Sequence, residues 1–195
     1  CRTIEGNLSI QSDENTPIVN LQGLSQLATI GGNLVIILND SLQSLSGLEG
    51  IRTIGNRLLI SGNFALTSIE GLSGLETVEE LGIVRNTILT SIAAFGNIQT
   101  LSGTLYIEGN PALESLDGLQ NLESVGEDLF IISNENLLSL SALGNLKQVN
   151  GWLGIAANPN LTSLTGLSNL QVVNENLSIN SNRFLNNLEG LENLH

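Results

Sequence analysis

A leucine followed two places on by isoleucine returns eight times along this chain, and its spacing leaves few folds open. The pairs are Leu8/Ile10, Leu34/Ile36, Leu58/Ile60, Leu81/Ile83, Leu105/Ile107, Leu129/Ile131, Leu153/Ile155 and Leu177/Ile179. Their leucines stand 26, 24, 23, 24, 24, 24 and 24 residues apart. A period in the twenties marks a solenoid, in which each repeat is one coil that buries its apolar side only by stacking on its neighbours. The expectation is an all-β, single parallel β-solenoid of about eight coils, forming one elongated domain over residues 1–195.

Within a coil, the Leu-x-Ile pair alternates, so both side chains point inward and the residue between them points out. In the fifth coil Gly109-Asn110-Pro111 is turn chemistry that ends the strand. Leu113, Leu116, Leu119, Leu122 and Val125 then follow at three-residue intervals. That spacing suits neither a long strand nor an amphipathic helix. It suits a polygonal coil of short extended pieces, tight turns and 3₁₀ turns. Gly118 and its equivalents Gly23, Gly47, Gly71, Gly166 and Gly190 relieve one corner. Ala94 and Ala142 stand there in two coils, so a positive φ is not required of every coil.

Five residues after each leucine comes an asparagine: Asn39, Asn63, Asn86, Asn110, Asn134, Asn158 and Asn182, with Asn15 taken as the counterpart in the longer first coil. Turned inward, these side chains form a structural ladder that hydrogen-bonds the backbone of the next coil at a corner where peptide groups would otherwise be orphaned. Ser44, Ser68, Ser91, Ser115, Ser139 and Ser163 also align and read as structural.

Composition narrows the function. Apolar residues make up 41% of the chain and aromatics 3%, as a narrow aliphatic core requires. The net charge of −13 argues against nucleic acid, whose phosphates need Lys and Arg, and disfavours docking on anionic lipid. No apolar run reaches the length of a transmembrane helix. No signal-peptide pattern opens the chain, which begins inside the repeat.

The opening Cys1-Arg2-Thr3-Ile4-Glu5-Gly6-Asn7-Leu8-Ser9-Ile10 resembles the C-x-x-I-x-G-N-L-x-I start of receptor L domains, the leucine-rich β-helical ligand-binding domains of insulin- and epidermal-growth-factor-type receptors and of many microbial surface proteins. Gly32-Asn33-Leu34-Val35-Ile36, Asn110-Pro111-Ala112-Leu113 and Leu119-Gln120-Asn121-Leu122-Glu123-Ser124-Val125 look like internal segments of the same family, so the resemblance spans essentially the whole chain. A standard leucine-rich repeat reads L-x-x-L-x-L-x-x-N-x-L; the register L-x-I-x-x-N-x-x-L here is closer to the L-domain type. The resemblance implies an extracellular or cell-surface protein, secreted or anchored, that binds ligand on a broad sheet face. The chain departs from animal members in lacking a second cysteine and in having more, and more regular, coils, which points to a microbial surface protein.

The outward positions of the strands locate a candidate binding surface. The end coils are polar there. The middle coils present Val35, Ile37, Leu59, Val84, Tyr106, Phe130, Ile132 and Trp152, including the only Tyr and the only Trp. Large apolar exposure marks interaction surfaces, and Trp and Tyr are favoured anchors. The partner expected is a protein or a glycan, or another copy of the chain. The alternative to a recognition domain is a structural module that self-associates by this face or end to end. The chain starts at the coil position where it stops and shows no atypical capping repeat, so it is either cut from a longer solenoid or stacks head to tail.

Catalysis is not expected, and neither is a cofactor or a metal. His195 is the sole histidine and the last residue, so no Ser-His-Asp or Cys-His set can form. The pairs Asp13-Glu14, Glu79-Glu80 and Glu127-Asp128 fall on different coils and read as solvated charge. Calcium-loop patterns are absent. Cys1 falls, by register, in the place of an inward leucine, or else is a lipidated first residue. N-linked glycosylation sequons occur at Asn7, Asn39, Asn160 and Asn176, and a glycan would not fit at Asn39 if that residue belongs to the ladder.

Overall fold

The computed structural model describes residues 2–13 and 15–195; Cys1 and Glu14 lie outside them. Eight parallel strands form the main sheet: Leu8–Gln11, Leu34–Ile37, Arg57–Ser61, Glu80–Val84, Leu105–Glu108, Leu129–Ile132, Leu153–Ala156 and Leu177–Asn180. They stack in sequence order, one per coil, and seven full turns of chain connect them. Registration is strict: Leu8 pairs with Leu34, Leu34 with Leu58, Leu58 with Leu81, and so on to Leu153 with Leu177. Leucine and isoleucine side chains therefore stack on like side chains. A single buried cluster runs from Ile10 to Leu170.

Just ahead of main strands in the chain, two-residue strands form two short parallel sheets, one joining Thr3–Ile4, Thr29–Ile30 and Thr53–Ile54, the other Thr100–Leu101 through Val172–Val173. The interruption falls where the repeat is 23 residues long. The turn after Val78 is one residue shorter than its counterparts, and the amides of both Glu79 and Glu80 converge on the Asn56 carbonyl.

The corner before the short strands is built in two ways. In five coils it is a 3₁₀ turn, at Gln22–Leu24, Glu70–Leu72, Ala93–Phe95, Ser141–Leu143 and Thr165–Leu167. In the other three, Gly47, Gly118 and Gly190 take φ of +109° to +112°. Each of these glycines donates its amide to the side chain two residues on, Glu49, Gln120 or Glu192. Where a 3₁₀ turn forms, that later position is serine or glycine: Ser25, Ser73, Gly96, Gly144 and Ser168. A carboxylate or amide there captures the glycine N–H in the left-handed conformation; without one the chain closes the turn on itself. The aligned serines accept from the amide two residues on, as in Ser141 N to Ser139 Oγ at 3.0 Å, which caps the turn that follows.

At the other corner the residue before each inward asparagine is left-handed: Leu38, Gly62, Arg85, Gly109, Ser133, Ala157 and Ser181, φ +54° to +68°. This kink resets the strand alternation. Leu38 would continue the inward row Leu34/Ile36 but is turned out, half exposed, and Asn39 is turned in. Each asparagine from Asn39 to Asn158 then binds three coils. Asn110 Oδ1 accepts from the backbone N and Nδ2 of Asn86; Asn110 Nδ2 donates back to Ile83 O at 2.9 Å; Asn110 N and Nδ2 donate on to Asn134 Oδ1.

Coil one departs from expectation. Asn15 is exposed and takes no place in the row. The two extra residues form a turn in which Asp13 Oδ1 accepts the amides of Asn15 and Thr16. Ser12 closes the row instead: its hydroxyl donates to Asn39 Oδ1 at 3.0 Å and accepts the Ile18 amide at 3.0 Å. A row of exposed asparagines, Asn97, Asn121, Asn145, Asn169 and Asn193, adds a further set of coil-to-coil bonds, each Nδ2 reaching a carbonyl one coil back at 2.7–2.9 Å.

Candidate functional site

The outer face of the main sheet carries three columns of side chains, at the positions before, between and after each Leu/Ile pair. Strand alternation fixes their direction. Val35, Ile37, Leu59, Val84, Tyr106, Phe130 and Ile132 are half-buried, and Trp152 is 40% exposed. None of them belongs to the buried cluster within the coils.

The strongest association joins three aromatics on three successive coils. Tyr106 and Phe130 are in register, with ring centroids 5.6 Å apart and planes at 72°. Phe130 meets Trp152 with the same separation and angle, 5.6 Å and 72°. Such edge-to-face pairs are favourable beyond the area they bury. Trp152 arises from the column before the leucine, yet reaches Phe130 because Gly154 is the in-register neighbour of Phe130 and leaves its space free. A Cβ at Gly154 would lie 2.6 Å from Phe130 Cδ1. Gly82 does the same for Leu59, whose Cδ1 stands 3.0 Å from where a Cβ would be. The two glycines divide the face into an aliphatic part, Val35, Ile37 and Leu59, and the aromatic ridge.

Charge frames this surface. Hydrogen bonding to the Glu108 carboxylate, then burial and the negative charge of Glu108, hold the Tyr106 phenol above its ordinary value, with Arg85 opposing. Asp128 Oδ1 accepts the backbone amide of Trp152 at 2.8 Å and fixes the base of the ridge. Arg57 Nε lies 3.0 Å from Glu80 Oε1 across adjacent strands.

Sequence reasoning missed four exposed apolar side chains at the asparagine corner, Leu38, Phe64, Ile88 and Phe184. Leu38 escaped because strict alternation puts it inside. Phe64, Ile88 and Phe184 follow Asn63, Asn86 and Asn182 by one or two residues, where the three-residue apolar rhythm has not yet begun, and that offset was the available signal. The acidic pairs are separately engaged: Asp13 in its turn, Glu80 with Arg57, Glu127 with Thr104 and Asp128 with Trp152. Among the described residues no group of three or more His, Cys, Asp or Glu is placed to hold a metal ion, and no helix is long and apolar enough to cross a membrane.

Column, registered parallel sheet and broad outward face together define a parallel β-solenoid. Residues 1–91 match the family model of the Receptor L domain, a family of ligand-binding, non-enzymatic domains. That stretch takes in the first four main strands, with Val35, Ile37, Leu59 and Val84; the aromatic ridge lies beyond it, on coils that continue the same register. Comparison with curated proteins and with solved structures gave no match.

Proposed function

We propose that the chain is a non-enzymatic extracellular recognition or adhesion domain that binds a protein or glycan through the apolar outer face of its main sheet. The observation that carries this is the Tyr106–Phe130–Trp152 ridge. Three rings in edge-to-face contact stand on the outside of a rigid sheet, where they contribute nothing to the aliphatic column within. A fold of this kind needs no aromatic there: Ser9 and Ser178 occupy the same column in the end coils. Rigid aromatic side chains on a preformed surface bind with little ordering cost. The L-domain match of the first four coils supports a ligand-binding role and an extracellular setting.

The test is binding of the wild type, Trp152→Ala and Phe130→Ala to immobilised panels of glycans and cell-surface proteins. The variants keep the far-ultraviolet spectrum and melting behaviour of the wild type and lose the binding that the wild type shows. Binding retained by both variants would sink this assignment. The same face could take a second copy of the chain, and light scattering against concentration distinguishes this: wild-type association abolished by Trp152→Ala would assign the ridge to assembly.

A further inference from the structure

Four N-x-Ser/Thr acceptor sequences occur in the chain, and the fold treats them unequally. Asn7 and Asn176 are exposed, and Asn160 is a surface residue whose amide meets only Asn136. Asn39, in Asn39-Asp40-Ser41, is fully buried. Both hydrogens of its amide are in use: Nδ2 donates to Ile10 O, and to Ile37 O and Asn63 Oδ1, each at 3.0 Å. No other inward asparagine is an acceptor, since Ala65, Ile88, Ala112, Asn136, Asn160 and Phe184 stand two residues after the rest.

We propose that Asn39 is a live N-glycosylation acceptor whose modification is incompatible with the fold, so that transfer of an oligosaccharide there stops the second coil from closing on the first. The donor is a lipid-linked pyrophosphoryl oligosaccharide. The bond formed joins Asn39 Nδ2 to the sugar C1; the bond broken is C1–O to the pyrophosphate, which departs with its electron pair, and the Nδ2 proton is lost. One of the two amide hydrogens disappears, and a bulky polar group occupies a site with no access to solvent. Transfer acts on the unfolded, entering chain, when Asn39 is as accessible as Asn7. A chain modified at Asn7, Asn160 or Asn176 still folds; one modified at Asn39 does not. If the extracellular reading above is right, a consequence follows: the protein reaches the cell exterior by a route that lacks this transfer. That consequence falls with the extracellular reading; the chemistry at Asn39 does not.

The test secretes three forms from a host with N-linked oligosaccharide transfer: Ser41→Ala, which removes the acceptor, the wild type, and Ser41→Thr, which strengthens it. Ser41 is exposed, and the three forms made in bacterial cytosol melt alike, which removes the substitution itself as a cause. The secreted yield falls severalfold in the order Ser41→Ala, wild type, Ser41→Thr. Mass spectrometry finds glycan at Asn39 in the retained fraction and bare Asn39 in the secreted one. Equal yields of all three forms overturn the proposal, and so does a secreted, protease-resistant chain carrying glycan at Asn39.

Discussion

Oδ1 of Asn110 accepts from both the backbone nitrogen of Asn86, at 3.1 Å, and its Nδ2, at 3.5 Å. One side-chain oxygen thus satisfies two buried donors of the preceding coil, and every asparagine from Asn63 to Asn182 repeats this relationship. The row is directional. Its first member is closed by the Ser12 hydroxyl, while Asn182, at its last position, is 9% exposed.

Removing an interior member orphans a buried group of the preceding coil. Asn110→Ala leaves the buried backbone N–H of Asn86 without its acceptor and takes the side-chain donor from the Ile83 carbonyl. At about 1–3 kcal/mol for each orphaned group, the loss is a substantial part of the stability of a chain this size. Asn182→Ala releases the same groups, the Asn158 amide and the Ile155 carbonyl, but at the partly exposed end of the row, where water takes them up, so it costs less. Urea denaturation of the two variants checks the order; equal losses would show that the row does not act through shared acceptors.

Five non-glycine residues hold the left-handed kink: Leu38, Arg85, Ser133, Ala157 and Ser181. An L-residue there costs roughly 1–2 kcal/mol, and glycine restores about 0.5–1 kcal/mol of unfolded-state entropy. Ala157→Gly therefore stabilises by roughly 0.5–1 kcal/mol. Gly109→Ala does the reverse and adds crowding, because a Cβ there would lie 3.2 Å from Arg85 Cγ. Paired thermal melts report the two shifts, and they should have opposite signs.

Glu49 binds the left-handed Gly47 amide with both carboxylate oxygens, at 3.0 and 2.9 Å. That backbone hydrogen bond holds its carboxyl below the ordinary value. Because the folded value is depressed, the contribution is present above the unfolded carboxylate value and is lost as pH falls through the folded one. Gln120 already does the same task at Gly118, at 2.7 Å. Glu49→Gln thus keeps the corner and removes its acid sensitivity: denaturation midpoints of variant and wild type converge or cross in acid. A difference constant with pH would mean that Glu49 is not bound to Gly47 in solution.

The coil count, the inward rows and the placement of the aromatics could be read from the sequence because each rests on a short-range period that the backbone must obey. What escaped it depended on local exceptions. Asn15 reads as the counterpart in a first coil two residues longer than the rest, whereas the excursion hands its task to Ser12, a residue with a hydroxyl but not the repeating amide. The two corner types could have been separated, since Gly47-Leu48-Glu49 and Gly71-Leu72-Ser73 differ only at their third residue. Nothing in the periodicity says that this third residue controls the sign of φ. The Asn97-to-Asn193 row was visible as a 24-residue recurrence, but its bonds lie outside the column and leave no hydrophobic signature. As for the face, the sequence located the rings but not their contact: Trp152 and Phe130 stand in different columns and meet only because position 154 is a glycine.

That dependence yields a test of the face that spares the ridge residues themselves. Gly154 is buried beneath the Phe130 ring, on the outer side of a strand whose inward neighbours are Leu153 and Ile155. Gly154→Ala places a methyl 2.6 Å from the present position of Phe130 Cδ1, so the ring must swing aside. The column within is untouched, and Phe130 loses its edge-to-face contact with Trp152 at a cost of about 0.5–1.5 kcal/mol. Trp152, the only tryptophan, reports the change directly: its emission moves to longer wavelength as the ring loses its neighbour. If the joined ridge is the recognition element, Gly154→Ala binds the wild-type partner more weakly, although every ridge side chain is retained. Full affinity together with a shifted emission would mean that the rings act separately, and that the contiguity seen here is a packing consequence with no part in recognition.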